Sequence, residues 1–140
     1  MSRYLIVTHK TAFSAELRDK VEELVARDAS AEFAILVPEV LSVDYSWEGK
    51  SVDVAGQRAE SARLLLEETL NAKVVRTSVG SYDPLRAIGD ELSAHPAYDT
   101  LVICTLPPGA SRWLRLDLVR QAERKFGLPI IHVVAHSPVA

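Results

Sequence analysis

Five short apolar runs punctuate this chain, and the spacing between them constrains its fold more than any other feature. They are "YLIVT" (Tyr4–Thr8), "FAILV" (Phe33–Val37), "KVVRTSV" (Lys73–Val79), "TLVICT" (Thr100–Thr105) and "PIIHVV" (Pro129–Val134). Most are continuous and rich in Val and Ile rather than alternating. Strands covered on both faces read that way, which predicts a parallel sheet between helices. The stretches between the runs carry helical period. The first helix is expected to start at Ser14, a favoured N-cap, and to reach about Arg27. Its buried stripe would be Leu17, Val21, Leu24 and Val25. The second is expected from about Gln57 to Leu70, with Ala59, Ala62, Leu66 and Leu70 inward. The third has the clearest start signal: Asp83 as N-cap and Pro84 at the first helical position, where a missing N–H costs nothing. Leu85, Ile88 and Leu92 would form its inner face. The fourth covers roughly Asp117 to Phe126, with Val119, Ala122 and Phe126 aligned and Gly127 just past its end. The resulting order, β-α-β-α-β-α-β-α-β, predicts right-handed crossovers and one doubly wound α/β sheet.

At 140 residues and 48% hydrophobic, the chain suits one globular domain over 1–140 that needs no disulfide or metal staples. Residues 38–55, with no clear period, are expected to form a long loop, and 135–140 a tail. A net charge of −3 argues against nucleic acid, whose phosphates demand a basic face. No apolar run approaches the roughly 20 residues of a membrane span. The N-terminal "MSRYLIVTHK" leads straight into a strand-like run without a signal-peptide core, so a cytoplasmic protein is expected. Cys104 is the only cysteine, which excludes an intrachain disulfide and any cysteine-based zinc site. The four histidines, His9, His95, His132 and His136, show no metal-ligand spacing.

Taken together, the layout, the segment "GSYDPLRAI" leading into the third helix and the closing strand–loop–helix–"LPIIHVV" unit resemble the universal stress protein family over about residues 3–134. The resemblance implies strand order 3-2-1-4-5 and a homodimer through the last strand, Pro129–Val134. It also sets Thr8 and His9 opposite the loop from Cys104 to Ser111. A subset of that family binds ATP through Gly-x-x-Gly-x9-Gly-Ser/Thr after the fourth strand. Laid here without a gap, the four defining positions become Cys104, Pro107, Asp117 and Leu118, and none matches. Pro107 has no N–H for a phosphate oxygen, and Asp117 puts a negative charge where a polyphosphate would lie. A gapped alignment would bring Gly109 into the loop. The acidic residue that such members carry after the first strand is His9 here.

The candidate ligand residues are accordingly Thr8, His9, Thr105, Gly109, Ser111, Arg112 and Arg115. Two guanidinium forks suit an anion, with Ser111 adding a hydroxyl; the plain alternative is surface charge flanking Trp113, Leu114 and Leu116. "TLPPG" reads as a stiff turn. His9 reads as a polar strand end or a ligand contact, and His132 as an edge or interface residue. Cys104 reads as a small core hydrophobe, because a nucleophile needs a lowered pKa and a base. Tyr45 and Trp47 suit either a lid or a loop folded back on its sheet. No catalytic constellation emerges. The favoured reading is a non-enzymatic, dimeric stress or regulatory domain acting through partners or a weakly bound small anion, with no cofactor. The alternative is an adenine-nucleotide-binding protein, slowly hydrolysing ATP, with a modified phosphate loop. A phosphorylated receiver domain is set aside, since "THK" replaces the acidic cluster such domains need.

Overall fold

The computed structural model describes residues 2–8, 14–38, 54–80, 83–95, 97–105 and 117–135. Nine elements follow in order: β1 (Arg3–Val7), α1 (Ala15–Arg27), β2 (Glu32–Pro38), α2 (Val54–Leu70), β3 (Lys73–Gly80), α3 (Pro84–Ala94), β4 (Thr100–Thr105), α4 (Leu118–Phe126) and β5 (Ile130–Val134). The strands form one parallel sheet in the order β3-β2-β1-β4-β5. The α/β architecture and the expected strand order are therefore both present.

The sheet separates two apolar layers. On one face, Ile6, Phe33, Ile35, Val37, Val102 and Cys104 pack with Leu17, Val21 and Leu24 of α1 and with Ala59, Ala62 and Leu66 of α2. On the other, Leu5, Val7, Leu36, Leu101 and Ile103 pack with Ala87 and Ile88 of α3 and with Leu118 and Ala122 of α4. Central strands that meet helices on both sides need apolar residues at consecutive positions, and every residue of β2 is buried. Local chemistry fixes where the helices start and stop. Ser14 Oγ accepts from the Leu17 amide at 3.1 Å, and Asp83 Oδ1 accepts from the Leu85 amide at 3.1 Å ahead of Pro84. Gly127 closes α4 with φ of 66°, a conformation that suits its lack of a Cβ.

Three expectations need correction. Helix α2 starts at Val54, three residues ahead of Gln57. The buried face of α3 is Pro84, Ala87, Ile88 and Glu91, with Leu85 and Leu92 only half-buried. The cause lies at Gly80, where an added Cβ would stand 2.6 Å from Ala87 Cβ. That close approach turns the Ala87–Glu91 side of the helix onto β3. Finally, β3 is not a strand covered on both faces. It forms one edge of the sheet, and Val75 and Val79 are 44% and 39% exposed. The ladder to β2 skips at Val75: Phe33 pairs with Val74 and Ala34 with Arg76.

Candidate functional site

The reversal of strand order falls at β1, which pairs with β2 on one side and β4 on the other. In open α/β sheets the crevice outside the carboxyl ends of the strands at such a point is where ligands bind. Thr8 follows β1 and Thr105 ends β4, and both are buried. The Thr8 amide continues the ladder by donating to the Leu36 carbonyl at 3.1 Å. The Thr105 carbonyl accepts from the Ala135 amide at 2.8 Å, and its hydroxyl lies 2.8 Å from His132 Nε2 across β5.

The pairing of Val7 with Ile103, carried one step further, sets Thr8 level with Cys104. Alternation along the strands then assigns Thr8 to the α1/α2 face and Thr105 to the α3/α4 face. The two threonines share one end of the sheet and point to opposite sides of it. Beside them, Ser14 Oγ lies 3.7 Å from Cys104 Sγ, and both residues are buried. Hydroxyls and a thiol can hydrogen-bond a ligand. Cys104 sits in the apolar layer, as expected of a core thiol. Loss of water around the His132 ring lowers its pKa from the usual 6.5. Among the described residues, no three His, Cys, Asp or Glu side chains stand together as a metal site, and no helix is long and apolar enough to cross a membrane.

Of the other candidates, His9, Gly109, Ser111, Arg112 and Arg115 lie outside the described residues, as do Pro107, Tyr45, Trp47 and His136. Asp117 lies within them. It caps α4 with φ of 57° and ψ of 40°, the left-handed conformation, and its side chain makes no capping hydrogen bond. Glycine takes that conformation freely; aspartate tolerates it better than most residues. Ungapped alignment gives Asp117 the place of the third motif glycine. Its backbone takes a conformation that glycine favours, and its side chain is a carboxylate.

A second polar cluster escaped the sequence reading. Glu91, 6% exposed, receives Arg76 Nε at 2.9 Å and the Tyr98 hydroxyl at 2.8 Å on Oε2, and Ser78 Oγ at 3.1 Å on Oε1. Burial alone would raise its pKa; Arg76, Tyr98 and Ser78 outweigh that and hold it below the usual 4.5. Burial and the adjacent carboxylate push the Tyr98 phenol well above its ordinary value. The signal was present in the sequence, because Glu91 continues the stripe Pro84, Ala87, Ile88 at helical spacing. A groove of about 420 Å³ opens beside this cluster, lined by Leu36, Arg76, Ser78, Gly80, Asp90 and Glu91 among others.

Solved structures repeat this architecture along almost the whole chain. A universal stress protein from Archaeoglobus fulgidus superposes with a TM-score of 0.62 at 12% identity, covering 95% of this chain and 93% of that one. The fold is that of the universal stress proteins. A universal stress protein family protein from Arabidopsis thaliana, solved with AMP bound, gives a TM-score of 0.61 at 14% identity over 98% of this chain and 94% of that one. No protein-family model and no curated protein matches the sequence. The universal stress protein fold is thus present in a chain that shares 12–14% of its residues with these structures.

Proposed function

We propose that this chain is a non-enzymatic stress-regulatory domain of the universal stress protein type, spanning 1–140 and working in the cytoplasm. It acts through protein partners or a weakly held small anion at the crevice between the exits of β1 and β4. It forms a homodimer through the edge at Pro129–Val134. The observation that carries this reading is Asp117: the corner keeps a glycine-like backbone but presents a carboxylate at the start of α4. A helix N-terminus attracts anions through its free N–H groups, and a fixed carboxylate there competes with them. Because Thr8 and Thr105 point to opposite faces, a small anion would meet one of the two hydroxyls, with His9, Gly109, Ser111, Arg112 and Arg115 as the remaining candidate contacts.

A second reading, adenine-nucleotide binding, is favoured by the AMP in the Arabidopsis structure. In it Arg112 and Arg115 replace the missing glycine cradle. A ligand that binds only the folded state raises the melting temperature in proportion to its occupancy. Thermal shifts with ATP, ADP, AMP and inorganic phosphate separate the two readings. The first expects responses no larger for the nucleotides than for phosphate. The second expects a saturable, adenine-dependent shift that Arg112→Ala abolishes.

A further inference from the structure

The edge strand β3, "KVVRTSVG", runs for eight residues, and no described strand lies beyond it. An outer strand carries a row of backbone donors and acceptors free to pair with another chain. Proteins commonly shield such rows with projecting charge. Here both cations of the strand, though exposed, are ion-paired with carboxylates of the body of the protein. Lys73 Nζ lies 2.9 Å from Glu32 Oε2, and Arg76 Nε lies 2.9 Å from Glu91 Oε2. Beside these ion-paired cations the strand also presents apolar side chains to water. Of the three exposed large hydrophobic side chains among the described residues, Leu64, Val75 and Val79, two belong to β3. Val75 also has no counterpart on β2, because the ladder skips it.

The order of side chains along this edge is self-complementary. Residues 75–79 read Val-Arg-Thr-Ser-Val, with valine two positions to either side of Thr77. We propose that the β3 edge pairs with the β3 edge of a second copy of this chain, antiparallel, about a twofold axis through Thr77. Val75 then meets Val79 of the second copy, Thr77 meets its own equivalent, and the valine pair recurs on the far side. Opposed β-branched residues are favourable cross-strand partners. Arg76 falls opposite Ser78 of the second copy on the α3 face, where the groove of about 420 Å³ leaves the strand uncovered. Arg76 arrives there already neutralised by Glu91, so the two edges do not repel. This interface is separate from the β5 dimer. Isologous contacts at both edges of one sheet would build assemblies larger than a dimer.

Cysteine cross-linking tests the β3 contact without reference to ligand or to β5. Directly opposed residues of an antiparallel pair stand about 4.5–5.5 Å apart at Cα, within the range of about 4.4–6.8 Å that a disulfide spans. Thr77→Cys is expected to form a disulfide-linked dimer on mild oxidation, well ahead of a Leu64→Cys control on the outer side of α2. Adding Val79→Lys to Thr77→Cys is expected to abolish the dimer while far-UV circular dichroism stays unchanged. Folded Thr77→Cys that links no faster than Leu64→Cys, or that links equally well with Val79→Lys present, overturns the proposal. Failure of the β5 dimer leaves either result intact.

Discussion

Two of the polar clusters among the described residues are built on opposite terms. Beneath α3, a carboxylate, a guanidinium, a phenol and a hydroxyl converge: Glu91, Arg76, Tyr98 and Ser78. At the exits of β1 and β4, the described buried polar side chains are the hydroxyls of Thr8 and Thr105, with Ser14 at the start of α1 nearby. The charged cluster joins an edge strand to the helix packed on it. The uncharged cluster sits where the topology calls for a ligand.

The largest effect should come from breaking the charged cluster. Glu91→Ala strands Arg76 and the Tyr98 hydroxyl, and is expected to cost about 2–4 kcal/mol in denaturant unfolding. Its effect on ligand binding at the crevice should be nil. Next comes the contact that brings α3 close. Gly80→Ala places a Cβ 2.6 Å from Ala87 Cβ, and overpacking of this kind costs about 1–3 kcal/mol in the same measurement. By contrast Thr105→Val, in the uncharged cluster, removes only the hydrogen bond to His132, about 1 kcal/mol.

Acid separates the clusters by pH window. Glu91 is held below its usual 4.5 in the folded state, so the unfolded chain takes up the proton first. Its stabilisation is present above about 4.5 and is lost as pH falls through the lower folded value. Glu91→Gln should flatten that part of the stability–pH curve. His132 is also lowered, from 6.5, so its contribution is present above about 6.5 and declines as pH falls below it. His132→Gln should flatten the curve in that higher window and leave the acid limb unchanged. The smallest effect belongs to Asp117→Gly, which relieves a left-handed aspartate and should stabilise the fold by up to about 1 kcal/mol. Equal acid limbs in the wild type and Glu91→Gln would remove the distinction between the two clusters.

The parts of the fold that were legible in the sequence are those set by neighbouring residues. Ser14, the Asp83–Pro84 pair and Gly127 announce helix ends because capping is local chemistry. Buried β2 announces itself through an uninterrupted apolar run. Strand order came from the family resemblance, since no residue pattern encodes which strand lies beside which. Glu91 was harder to read. In a helix a carboxylate looks like solvated surface until a distant strand supplies Arg76 and Ser78, a pairing that register decides. The expected strand order already put β3 at an edge; the exposure of Val75 and Val79 was hidden, because "KVVRTSV" has a composition suited to the interior. At the site, the sequence identified Thr8 and Thr105 as strand exits; that they face opposite sides of the sheet depends on register and on the hand of each strand end.

Calorimetric titration of ATP into the protein tests the proposed reading most directly, namely that the crevice holds a small anion and not a nucleotide. The account predicts no saturable heat for ATP beyond that of inorganic phosphate at ligand concentrations up to about 1 mM, the regime of weak binding. A one-to-one isotherm for ATP with a micromolar Kd would contradict it.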